Sequence, residues 1–141
     1  MWKISYQERL LDWIQLRQAC VDYTPEQTLS AVNNWWWRAP IVNRAIEWHD
    51  FPDWPDPWHL LNSDGYCELA KALGITYTLM MLDNFEYSTL EIVQVENDNL
   101  VLLDHGKYIL NSAPGEILNI NSYPLAIIRS IDSSKLTHFL S

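Results

Sequence analysis

Glycine, cysteine and basic residues are scarce in this chain, and each shortage removes a class of function. Only 4 glycines occur among 141 residues, and they do not form the pattern that lets backbone wrap a phosphate or a dinucleotide. The 2 cysteines, Cys20 and Cys67, are too few for a disulfide framework and lack the paired spacing of a zinc site. Reduced thiols are expected, and neither a metal nor any other cofactor is implied. Lysine and arginine number 9 against 18 acidic residues, for a net charge of −9. That is the wrong sign for a phosphate backbone, so nucleic acid is not an expected partner. There is no uninterrupted apolar run of about 18 residues to cross a bilayer, so a membrane is not an expected partner either. The opening residues, Met1 to Arg9, place polar and acidic side chains where an export signal carries its apolar run, which makes the cytoplasm the default expectation.

What is present suffices for a folded core. With 48% hydrophobic and 19% charged residues, the chain is too apolar for a disordered protein, and its length suits a single domain over residues 1–141. Within it, residues 1–62 read as mainly helical and residues 63–131 as a Cys-bearing helix followed by an antiparallel sheet. Helices first and strands afterwards define an α+β fold. The chain also carries 8 tryptophans, with Trp35, Trp36 and Trp37 consecutive. Successive helical side chains are separated by about 100°, so these three cannot all face one core. A large aromatic core between helices is one reading; docking of a protein partner is the other, since Trp is enriched at interface hot spots.

Leu10, Trp13, Ile14, Leu16 and Val21 recur at helical spacing over about residues 4–21. Thr24-Pro25-Glu26-Gln27 then supplies a capping hydroxyl, a proline at the first helical position and a reciprocating Gln, predicting a helix from Pro25 to about Trp37, ahead of Pro40. A short helix is expected around Ile41 to Trp48. The proline-rich stretch from Asp50 to Trp58 reads as a loop pinned by aromatics. Asp56-Pro57 caps a further short helix. Asp64 reads as the cap of the helix that carries Cys67, with Gly74 as its terminator. Strands are expected at 76–82, 90–95, 100–103 and 108–110 in a meander, and at 126–131 after the loop containing Pro114-Gly115 and Pro124.

A cysteine in the first turn of a helix sits where unpaired N–H groups and the helix dipole favour a thiolate, which is the setting of a nucleophile. Burial as a small hydrophobe is the alternative, and Cys20, well inside the first helix, reads as such a packing residue. Three segments carry a resemblance: Asp56-Pro57-Trp58-His59-Leu60-Leu61, Gly65-Tyr66-Cys67-Glu68-Leu69-Ala70-Lys71-Ala72-Leu73-Gly74-Ile75, and Leu100-Val101-Leu102-Leu103-Asp104. Over about residues 56–110 the chain resembles the transglutaminase-like, papain-related cysteine fold. The resemblance implies Cys67 as nucleophile and Asp104 as the acid that orients an imidazole. The family's histidine should open the strand beginning near Leu90, where this chain has Glu86-Tyr87-Ser88-Thr89. His105, next to Asp104, is the candidate substitute base, with His59 a second; His49 and His138 read as solvated.

The wider pattern is similar to a group of small proteins of tailed bacteriophages, with a Trp-rich helical start, an Asp-Pro-Trp element, a Tyr-Cys helix and a Gly106-Lys107-Tyr108-Ile109-Leu110-Asn111 ending. That resemblance implies a phage-encoded accessory or virion protein, located in the virion or the host cytoplasm, with other virion components as protein partners. Trp54, Trp58 and Tyr66 are the candidate binding residues. Two functions follow. One is a binding module with a degenerate site. The other is a cysteine amidase or peptidase, in which the Cys67 thiolate attacks a carbonyl and water or an amine resolves the thioester.

Overall fold

The computed structural model describes residues 2–113, 116–121 and 125–140; the expected turn residues Pro114, Gly115 and Pro124 lie outside them. Helix α1 spans Tyr6–Cys20, capped by the Ser5 side chain. Helix α2 spans Pro25–Trp37, and the capping box of Thr24 and Gln27 forms as the sequence predicts. Helix α3, Pro57–Leu61, starts at the Asp56 cap. Helix α4 runs Glu68–Met80. Strands β1 (Leu90–Gln94), β2 (Asn99–Leu103), β3 (Tyr108–Leu110) and β4 (Arg129–Asp132) form one antiparallel sheet in the order β3-β2-β1-β4. The fold is therefore α+β.

Four expectations need correction. Helix α4 does not end at Gly74 but continues through it, and the expected strand at 76–82 is helix as far as Met80. Every residue from Leu69 to Leu79 is buried, so the segment shows no amphipathic period to mark it as helical. Its β-branched threonines are accommodated by bonding back one turn: Thr76 Oγ1 donates to the Ala72 carbonyl and Thr78 Oγ1 to that of Gly74. Gly74 serves close packing instead, since a Cβ there would stand 2.5 Å from the Trp36 ring. The helix cap is Cys67 itself rather than Asp64. Residues 41–48 form no α-helix; Ile41 makes an isolated bridge with Tyr66, and a 3-10 turn covers Trp48–Asp50. The last strand, expected at 126–131, is β4 at Arg129–Asp132, and it takes the far edge of the sheet, beside β1.

Alternation along the strands divides the sheet into two faces. Leu90, Ile92, Val101, Leu103 and Leu110 join the helices in the main core, while Val93, Leu100, Leu102 and Ile109 pack a smaller cluster on the other side. Of the 8 tryptophans, Trp13, Trp35, Trp36 and Trp54 are buried and Trp37 is half-buried, so the three consecutive rings do not all enter the core. No helix among the described residues is long and apolar enough to cross a membrane.

Candidate functional site

Cys67 is held at the start of α4 by the strand-like segment that precedes it. Val42 N donates to the Tyr66 carbonyl at 3.1 Å and Tyr66 N to that of Pro40 at 2.9 Å. The approach is so close that a Cβ on Gly65 would lie 2.4 Å from Val42. Residues 43–49 are thereby carried past the end of the helix, and the Cys67 thiol donates to the Ile46 carbonyl at 3.5 Å. At the same end, Glu68 Oε1 accepts the Asn99 amide, and Asn111 Nδ2 donates to the carbonyls of Glu68 at 3.0 Å and Asn99 at 2.8 Å. The N-terminus of α4 therefore faces the end of β1 and the start of β2.

A cleft of about 520 Å³ opens there. Cys67 and Glu68 line its base, residues 43–49 one wall, and Gln94, Asn97, Asn99 and Arg129 the other. Gln94, Asn99 and Arg129 lie on the helix-facing side of the sheet, continuing the apolar rows of Ile92, Val101 and Ile131. A signal for them was present in the sequence. In Leu90-Ile92-Gln94 and Asn99-Val101-Leu103, a polar residue occupies the core-facing position at the same end of both strands.

The electrostatics are those of satisfied pairs. Arg44 and Glu47 meet at 2.7 Å. His49 Nε2 stands 3.2 Å from Glu47 and 3.5 Å from Asp50, so this histidine has acidic partners and shares the cleft with Cys67. Burial pushes the Glu68 carboxyl above the usual range against the Asn99 amide, with Asp98 adding to the rise. Burial lowers Lys71, one turn on, while Glu68 opposes the drop. Among the described residues no cluster of three or more His, Cys, Asp or Glu could hold a metal ion.

Asp104 and His105 are not brought to this site. They follow the end of β2, whereas Cys67 faces its start, and five residues of strand separate the two by about 16 Å. Asp104 is occupied with Ser88, accepting from its backbone N at 2.7 Å and its hydroxyl at 3.0 Å. Partial burial works against ionisation of that carboxyl, but these hydrogen bonds hold it below the usual range. His105 lies in the left-handed region at φ 60°, and its backbone N donates to Thr89 Oγ1. His59 pairs with Asp56 at 2.8 Å on the exposed side of α3.

The binding role expected for Trp54 and Tyr66 also needs correction. Both are interior, Trp54 donating to the Glu47 carbonyl and Tyr66 to that of Leu61, so neither offers a surface to a partner. Trp58 is half-buried and lines a shallow pocket with Tyr6, His59 and Asn62. Among known proteins, no family model, no curated protein and no solved structure matches the chain significantly.

Proposed function

We propose that the chain is a non-catalytic binding module, one that keeps the outline of a transglutaminase-like fold without its reaction centre. It acts on a protein partner, in the manner of a phage-encoded accessory or virion protein. The observation that supports this reading is the setting of Cys67, whose thiol donates to the Ile46 carbonyl while Asp104 and His105 stand at the far end of β2. A nucleophile needs a base within hydrogen-bond reach to take its proton and later return it to the leaving group. The test is iodoacetamide labelling of the folded protein, read by mass spectrometry with Cys20 as internal control. Both thiols are buried, at 6% and 7% exposure, and equal, slow labelling until denaturant is added is the expected result.

A second reading, a cysteine amidase or peptidase, is favoured by one observation: His49 lines the same cleft as Cys67 and has Glu47 to orient it. His49 would take the thiol proton, the thiolate would add to the carbonyl, and the proton would pass to the departing amine before water resolves the thioester. Fast labelling of Cys67 in the folded chain, abolished by His49→Ala, would replace the first reading with this one.

A further inference from the structure

The cleft beside Cys67 presents hydrogen-bonding groups that no other described residue engages, and most of those groups are amides. Arg44 is neutralised by Glu47. Arg129 donates to Gln94 Oε1 at 2.6 Å and lies over the Trp48 ring, 5.6 Å from its centroid. His49 faces Glu47 and Asp50. Arg44 and His49 thus have carboxylate partners and Arg129 is engaged by an amide oxygen and an aromatic face, so the cleft does not gather free cations in the way a dedicated carboxylate or phosphate site does. Trp48 is covered by Arg129 and meets Trp54 edge-on at 5.7 Å, which disfavours a sugar or base stacked on it.

The amides differ. Gln94 uses its oxygen for Arg129 and Asn99 uses its oxygen for Trp48 Nε1 at 2.7 Å, which leaves an NH2 group on each. Asn43 and Asn97 line the cleft as well, and their side chains bond to no other described residue. Gln94 and Asn99 thus offer donors to a peptide carbonyl, while Asn43 and Asn97 offer donor and acceptor together, the complement of a peptide group.

Two further features suit an extended chain. Ile41 and Val42 lead into one wall at Asn43, and Ile127 and Ile128 lead into the other at Arg129; Ile41 is 65% and Ile128 61% exposed. Lone exposed apolar residues are ordinary, but two pairs flanking one polar cleft offer rests for the alternate side chains of a strand-like ligand. Strand β4 is also terminal in the sheet order, and its outer edge pairs with no described residue. Arg129 belongs both to that edge and to the cleft.

We infer that the cleft and the adjoining edge of β4 bind an extended peptide segment of a partner protein, reading its backbone through Gln94, Asn97 and Asn99 and resting apolar side chains on the flanking isoleucines. This inference rests on the binding-module reading and names its ligand class; strand addition at a sheet edge is a recurrent way to hold such a segment.

The experiment selects a displayed library of random linear peptides against the intact folded chain. Enriched peptides are then measured by fluorescence anisotropy against the wild type and a Gln94→Ala/Asn97→Ala variant, with near-UV circular dichroism to confirm that the variant is folded. Removing two neutral hydrogen bonds is expected to weaken binding about tenfold, with little change between low and physiological salt. Peptide addition should also shift the side-chain NH2 resonances of Gln94, Asn97 and Asn99. Enriched peptides that bind the variant as tightly as the wild type, or shift resonances elsewhere, overturn the inference, as does a selection that enriches none. Cleavage of bound peptides dependent on Cys67 would leave the peptide site standing and remove the non-catalytic reading. Absent binding together with an inert Cys67 would do the reverse.

Discussion

The Thr78 hydroxyl accepts the indole N–H groups of both Trp13, at 2.9 Å, and Trp36, at 3.0 Å, while donating to the Gly74 carbonyl at 2.7 Å. Thr78→Val would keep the shape and strand two buried donors. At about 1–3 kcal/mol for each unsatisfied group, a loss of about 2–6 kcal/mol is expected in urea denaturation, with Thr78→Ser much milder. Arg9 plays a comparable part nearer the surface, donating to the carbonyls of Lys3, Ile4, Leu61 and Ser63 and so tying the first residues to the end of α3. Glu68 gives a pH dependence of definite sign. Its folded pKa is raised by burial, so its ionised form weakens the fold, and stability falls as pH rises from the unfolded carboxyl value of about 4.3 through the raised one. Glu68→Gln keeps an acceptor for the Asn99 amide. It should match the wild type in thermal unfolding at acid pH and exceed it at neutral pH, by no more than about 1 kcal/mol because the side chain is only partly buried and solvent screens it.

At the scale of elements, α2 and α4 show what the sequence discloses and what it conceals. The start of α2 was legible because Thr24, Pro25 and Gln27 act locally, each through its own backbone. The extent of α4 was not, because its second half is decided by tertiary burial: Ile75, Tyr77 and Leu79 alternate with threonine like a strand, yet all are enclosed by other elements. Gly74 resembles a terminator in the sequence for the same reason, since the Trp36 ring that requires it lies on another helix. Alanine at an exposed helical glycine is ordinarily stabilising by about 1 kcal/mol. Gly74→Ala should invert that sign and lower stability by about 1–3 kcal/mol, through the clash with Trp36, as measured in a chemical denaturation series.

For the molecule as a whole, the length of α4 determines which residues meet Cys67. Its 13 residues carry the chain about 20 Å from the thiol before β1 turns back toward it. The start of β1 and the end of β2, with Ser88 and Asp104, therefore lie at the remote end, and the Gln94 and Asn99 end lies at the near one. The expectation that Asp104 and His105 accompany Cys67 comes from the family resemblance, and it turns on which end of the sheet the helix addresses, which local pattern does not disclose. The α+β class, the position of Cys67 at a helix start and the pairing of β1, β2 and β3 were available from local pattern. The cleft was not, because residues 43–49, the Gln94–Asn99 end of β1 and β2, and Arg129 of β4 meet there from distant parts of the sequence.

The place of Trp48 has an optical consequence. Trp13, Trp35, Trp36 and Trp54 sit in the interior, so most changes in their emission will report on the integrity of the core. Trp48 stands in the wall of the cleft, bonded to Asn99 and covered by Arg129, and its emission depends on the same groups that a ligand would engage. Occupancy of the proposed peptide site should therefore change the Trp48 contribution to the emission, and comparison with Trp48→Phe would separate that contribution from the signal of the buried rings, including Trp54 at 5.7 Å.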